Sequence, residues 1–227
     1  MKWLLSGIVR GGYIVAVACA GVFLGFHFGQ RTPWFKDFLG HRLIVGSEPQ
    51  QVRIASKLVE LRAEKQLLEA MQADRPPTRA VAKRALEYMW FNAAGPDAYR
   101  RIEFAYREAE KSHYDEALRL LDCLVKDFPQ FAEAWNQRAS IYWQLGDYER
   151  SMADSRRALA LNPRHYGAWQ GLGVCQMKLM QYQEAIYSLQ KALELLPHDI
   201  ATREALKECQ EAVRKDPRKP STQPVYA

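Results

Sequence analysis

The chain has 227 residues, 48% of them apolar, and a formal net charge of +6. After ~30 residues are set aside for an amino-terminal anchor, that length leaves one domain with a sizeable core and no second catalytic domain. The usage of its four cysteines leans slightly towards a reducing compartment.

Residues 11–30 carry no charged side chain. A helix of about 20 residues rises about 30 Å, the thickness of a bilayer's hydrocarbon core, so residues 1–30 are expected to form an uncleaved transmembrane anchor. Ala18-Cys19-Ala20 also has the small-x-small form of a signal-peptidase site, and cleavage is the competing reading. Gly21, Gly25 and Gly29 recur every four residues on one face. Helices in lipid associate through such small-residue grooves, here with a second copy or a different subunit. Trp34, Phe35 and Phe38 then resemble the aromatic belt of a membrane interface. Lys2 and Arg10 precede the segment while Arg31, Lys36 and Arg42 follow it, so the positive-inside rule leaves the topology open.

Residues 31–97 are read as a juxtamembrane segment and helical linker. Over residues 48–74, Ile54, Leu58, Leu61, Leu68 and Met71 trace one helical stripe, which fits either a short coiled-coil stalk or a helix packed on the following domain. Arg75-Pro76-Pro77 stops that helix, and another is expected over residues 78–93 before Gly95-Pro96. Leu86, Met89, Trp90 and Phe91 give it a large apolar face, suited to an extra solenoid helix or to a partner-binding surface.

From residue 98 the chain repeats itself. Tyr114, Tyr148 and Tyr182 stand 34 residues apart, as do Ala117, Ser151 and Ala185, and Pro129, Pro163 and Pro197. Trp169, Leu172 and Gly173 add an aromatic residue followed by a large-small pair, and Trp135 and Ala139 keep two of these, with Arg138 in place of the leucine. The pattern resembles the tetratricopeptide repeat (TPR), a helix-turn-helix hairpin whose apolar face is buried only by stacking on its neighbours. The first unit is worn, with Arg101 at the aromatic position and Glu108 where a tyrosine belongs, as terminal repeats often are.

The resemblance implies an all-α fold: a TPR helical solenoid behind a single N-terminal transmembrane helix. The TPR domain is expected at 98–215, with repeats at 98–131, 132–165 and 166–199 and a capping helix at 200–215. Residues 216–227, with Pro217, Pro220 and Pro224, are expected to be a disordered tail.

Charge and motifs narrow the chemistry. Residues 1–80 hold eleven Lys and Arg against six Asp and Glu, whereas residues 98–199 hold thirteen against fourteen. A groove without net positive charge does not suit phosphates, so no nucleic-acid partner is expected, while the basic amino-terminal region suits membrane lipid. Metal, phosphate-loop and nucleophile-elbow motifs are missing from the sequence. Gly171-Leu172-Gly173 falls inside a helix, where close packing accounts for both glycines. His113, His165 and His198 are read as exposed turn residues, the carboxylates as solvated, and Cys123, Cys175 and Cys209 as small buried apolar residues. No enzyme activity, catalytic residue, cofactor or metal is expected.

In the family the first helix of each unit lines the concave face. Carried over, the groove comprises Tyr99, Ile102 and Tyr106, then Asn136, Gln137, Ser140, Trp143 and Gln144, then Gln170, Gly171, Val174, Met177 and Lys178. Amides and aromatics there suit a peptide backbone and apolar side chains; coverage by the cap or an upstream helix is the other reading. The carboxylate clamp of chaperone-binding repeats would fall on Ile102, Tyr106, Gln137, Gly167 and Gly171, none of them a cation. The expected function is a membrane-anchored scaffold or adaptor that binds a partner protein or peptide, with a structural subunit of a membrane complex as the alternative. The resemblance extends to anchored repeat proteins of bacterial inner membranes and of organelles.

Overall fold

The computed structural model describes residues 32–215, which form eleven α-helices and no strand. Two compact units divide at Ala85 and Leu86. The expected anchor at residues 11–30, with Gly21, Gly25 and Gly29, and the tail at 216–227 lie outside the described residues. None of the described helices is long and apolar enough to cross a membrane.

The first unit holds α1 (Pro33–Val45), α2 (Glu48–Glu60), α3 (Glu64–Met71) and the opening turns of α4 (Pro76–Phe91). The stripe over residues 48–74 is not one helix. Arg62 sits at φ 49°, a left-handed turn that lets α3 fold back to pack on both α1 and α2. Leu43, Leu58, Leu67 and Met71 are fully buried as a result, and an eight-residue helix in this setting is no coiled-coil stalk. The proline pair does not merely end a helix: Pro76 opens α4, where its missing N–H has no intrahelical partner to lose. Gln51 Nε2 ties this unit together by donating to Leu43 O at 3.0 Å and Thr78 Oγ1 at 2.7 Å.

The second unit takes the last turns of α4 and then three hairpins: α5 (Pro96–Glu110) with α6 (Tyr114–Asp127), α7 (Ala132–Gln144) with α8 (Tyr148–Leu161), and α9 (Tyr166–Lys178) with α10 (Tyr182–Leu195). Helix α11 (Ile200–Lys215) packs on α10 and closes the stack. The 34-residue period is a period of hydrogen bonds and dihedral angles as well as of residue types. Ser112, Gly146 and Met180 turn the chain between paired helices at φ 62°, 78° and 59°. Trp135 Nε1 donates to Pro129 O at 3.1 Å and Trp169 Nε1 to Pro163 O at 2.8 Å, while in the cap Arg203 does the same for Pro197 O at 2.6 Å. At the equivalent place in the worn first unit, Arg101 pairs instead with Asp127 at 2.7 Å.

Gly173 marks the closest approach between paired helices. A Cβ there would stand 2.7 Å from Leu189 Cγ and 3.2 Å from Leu189 N, whereas at Gly171 the nearest atom is Ser155 Oγ at 3.6 Å. Close packing therefore explains Gly173 but not Gly171. Cys175 and Cys209 are buried and unpaired, but Cys123 is exposed, contrary to its reading as a buried apolar residue.

Candidate protein-binding groove

The inner helices α7 and α9 run side by side, and between them lies a cleft of about 430 Å³. Asn136, Ser140, Trp143, Gln144 and Gln170 line it, with Gly171 and Val174. Its floor includes Ser155 on α8, whose hydroxyl is buried without a hydrogen-bond partner among the described residues. A Cβ at Gly171 would stand 3.6 Å from that hydroxyl, so the glycine leaves no side chain of its own in front of it.

The remaining groove positions from the sequence are distributed differently. Tyr106, Asn136 and Gln137 line a second cleft of about 330 Å³ at the amino-terminal ends of α7 and α9. Tyr99 packs its ring 6.4 Å from that of Tyr88. Met177 belongs to the apolar cluster of Ala185, Leu189 and Cys209, under the cap, and Lys178 is exposed at the end of α9 without lining either cleft. Gln170 turns partly toward the cap, donating to Asp199 Oδ2 at 3.2 Å.

The second cleft is partly occupied by the protein itself. Trp90, in the last turn of α4, stacks on the His165 ring with centroids 4.6 Å apart, and the Tyr166 hydroxyl donates to Glu87 Oε1 at 2.5 Å. Burial first, then that hydrogen bond to Glu87, pushes the Tyr166 phenol well above its ordinary pKa. The coverage by an upstream helix weighed from the sequence thus holds at this end of the groove, while the cleft around Trp143 stays open.

Beneath Trp90 lies a pair that sequence reasoning missed. His165 and Glu133 are both buried, with His165 Nε2 2.9 Å from Glu133 Oε2. His165 Nδ1 accepts the Ala168 N–H at 3.2 Å, which fixes the proton on Nε2, donated to the carboxylate. Gln137 Nε2 and Asn136 Nδ2 donate to the other carboxylate oxygen at 2.7 Å and 3.4 Å. Burial alone would raise the Glu133 carboxyl, but the His165 Nε2–H aimed at it and the hydrogen bonds from Gln137 and Asn136 outweigh it and hold the group below its ordinary pKa. Both imidazole nitrogens are engaged, so the pair offers no free base for catalysis.

His165 was therefore misread as an exposed turn residue. Its register was the available signal: 34 residues later stands Asp199, which caps α11 by accepting from the Thr202 N–H at 2.8 Å. Arg138 was also more than a lost leucine. It forks onto Asp154 at 2.6 Å and 2.8 Å, reaches Asp122 at 2.8 Å, and lies over Trp135 at 4.9 Å, so Asp154 is a buried carboxylate held by a guanidinium and not a solvated one.

A family model described as anaphase-promoting complex, cyclosome, subunit 3 matches residues 110–192. A TPR repeat-containing protein of Rhizobium etli is 26% identical over 140 residues, covering 61% of this chain and 69% of that protein. Anaphase-promoting complex subunit 3 of Schizosaccharomyces pombe is 29% identical over 86 residues, 38% of this chain but only 13% of that protein. Among solved structures, the Sgt2 TPR domain from Aspergillus fumigatus superposes with a TM-score of 0.51 at 19% identity, covering 58% of this chain and 88% of that one. The first TPR domain of human RPAP3 gives 0.50 at 22%, covering 53% and 94%. These matches agree with the stacked hairpins described above, and the chain is an all-α protein built on a tetratricopeptide-repeat solenoid.

Proposed function

We propose that the chain is a membrane-anchored interaction scaffold that holds an uncharged segment of a partner protein in the cleft between α7 and α9. The open cleft carries this reading. Asn136, Ser140, Gln144 and Gln170 present neutral hydrogen-bonding groups around Trp143, and the floor hydroxyl of Ser155 has no partner among the described residues. Amides satisfy a peptide backbone without a charge requirement, and Trp143 covers apolar side chains. Among the described residues no Lys or Arg lines the cleft, which disfavours a terminal carboxylate as the anchoring group. Residues 1–30 would tether the scaffold, with the Gly21, Gly25 and Gly29 face against a second helix.

The test is capture of partners from solubilised native membranes by the full chain and by the Trp143→Ala/Asn136→Ala variant, with circular dichroism on the same samples. Capture is expected to fall while helicity stays unchanged. Full capture by the variant would place the binding surface elsewhere.

A second reading has its own support. Trp90 and Glu87 already occupy one end of the concave face, as in a structural subunit whose groove is filled from within. Purification in mild detergent separates the two: a fixed stoichiometric assembly supports the subunit, and a substoichiometric, changing set of proteins supports the adaptor.

A further inference from the structure

On α1, Trp34, Phe38, Arg42 and Val45 follow one another at i, i+4, i+8 and i+11, a single ridge of the helix. The opposite side, with Gly40 and Leu43, is the buried one. Trp34 is 64% exposed, Phe38 51% and Val45 55%, so three large apolar groups stand in solvent along the same line as a guanidinium. Arg53 on α2 joins Arg42 in lining a cleft of about 310 Å³, together with Phe38, Leu39, Gln50 and Ile54.

The two arginines differ from most cations around them. In the same unit Lys57 pairs with Glu60 at 2.6 Å and Lys65 with Glu69 at 3.6 Å, while Arg75 and Arg79 donate to backbone carbonyls. Neither Arg42 nor Arg53 meets a carboxylate within ion-pair distance among the described residues. The one nearby acid on α1, Asp37, accepts instead from Gln66 at 2.7 Å. Two uncompensated guanidinium groups in one cleft call for an anion, and guanidinium geometry matches phosphate oxygens. A rim of exposed Trp and Phe asks at the same time for an apolar phase.

We infer that this face of α1 and α2 is a docking site for anionic phospholipid, with the headgroup phosphate between Arg42 and Arg53 and with Trp34 and Phe38 inserted among the acyl chains beside it. The inference deepens the membrane reading of residues 11–30 and rests on it, since α1 begins three residues after that segment. Attraction by an anionic leaflet adds about fivefold in surface association per basic residue, and the aromatic ridge supplies the apolar contact that a soluble phosphate cannot.

The full chain is reconstituted in mixed phosphatidylcholine and phosphatidylglycerol vesicles in which one lipid or the other is brominated. Trp34 quenching is taken as the difference between the wild type and Trp34→Phe. Brominated phosphatidylglycerol is expected to quench Trp34 severalfold more than its share of the lipid predicts, falling to that share in Arg42→Gln/Arg53→Gln with unchanged circular dichroism. Quenching in proportion to composition in the wild type, or an enrichment that survives the double substitution, overturns the site. Loss of the enrichment on adding inorganic phosphate, but not chloride of equal ionic strength, reassigns the cleft to a free anion. Failure of the anchor reads differently: the chain then washes off pure phosphatidylcholine vesicles in alkaline carbonate yet still floats with phosphatidylglycerol ones.

Discussion

His165 Nε2 and Glu133 Oε2 lie 2.9 Å apart, Glu133 on α7 and His165 capping α9, and both side chains are buried. The pair staples α7 to the start of α9 beneath the Trp90 ring. His165→Ala strands a buried carboxylate and is expected to lose about 3–5 kcal/mol, whereas Glu133→Gln leaves a neutral acceptor and loses about 1–3 kcal/mol. The wild type should also show a steeper acid limb than the Glu133→Gln variant, which keeps other paired carboxylates such as Glu108. With the folded carboxyl held below its ordinary pKa, the unfolded chain takes up the proton first. The stabilisation is therefore complete above about pH 4.3 and is lost as pH falls through the folded value. Urea midpoints from pH 7 down to 3 measure both effects.

The guanidinium of Arg138 joins three helices through Asp122 on α6 and Asp154 on α8. Replacing it with the leucine of the repeat pattern, Arg138→Leu, should destabilise by about 3–5 kcal/mol, because the buried Asp154 loses its partner. Arg138→Leu/Asp154→Leu should recover most of that, as apolar replacement of a whole buried pair often does. Asp122 is 55% exposed, so Asp122→Ala should cost no more than about 1 kcal/mol. Chemical denaturation of the three variants tests the ranking, and a double variant as weak as Arg138→Leu would contradict it.

At Gly173, Ala is a better helix former by about 1 kcal/mol, yet its Cβ would lie 2.7 Å from Leu189 Cγ. Gly173→Ala is expected to lower the melting temperature, with overpacking of about 1–3 kcal/mol exceeding the helical gain. In a Leu189→Ala background the same change should cost much less, since Cγ and Cδ2 are gone and only the Leu189 backbone nitrogen remains, at 3.2 Å. A Gly173→Ala variant that melts above the wild type would remove the close approach as the reason for the glycine.

Trp90 decides how much of the concave face is available. Trp90→Ala should cost about 3–5 kcal/mol through lost burial and uncover His165. For an adaptor, partner capture per folded molecule should be maintained or rise. For a subunit with an internally filled groove, the purified assembly should dissociate. Size-exclusion chromatography with denaturation curves on the same preparation distinguishes the outcomes.

The solenoid was legible in the sequence because its determinants are local and repeat: proline after each hairpin, tyrosine at each second-helix start, and small residues where helices meet. Each recurs at the same register, so one period fixes helix ends, pairing and stacking together. The open cleft could likewise be placed by register, since Asn136, Ser140, Trp143, Gln144 and Gln170 all line it. What register could not give was the burial of polar groups against residues far away in the chain. Glu133 and Asp154 look like ordinary helix-face acids until His165 and Arg138 enclose them. Met177 looks like a groove residue until the cap covers it, and one stripe over residues 48–74 hides the turn at Arg62. A charge is tolerated in the interior only when specific donors surround it, and those donors came from other helices, where only the tertiary structure could set them.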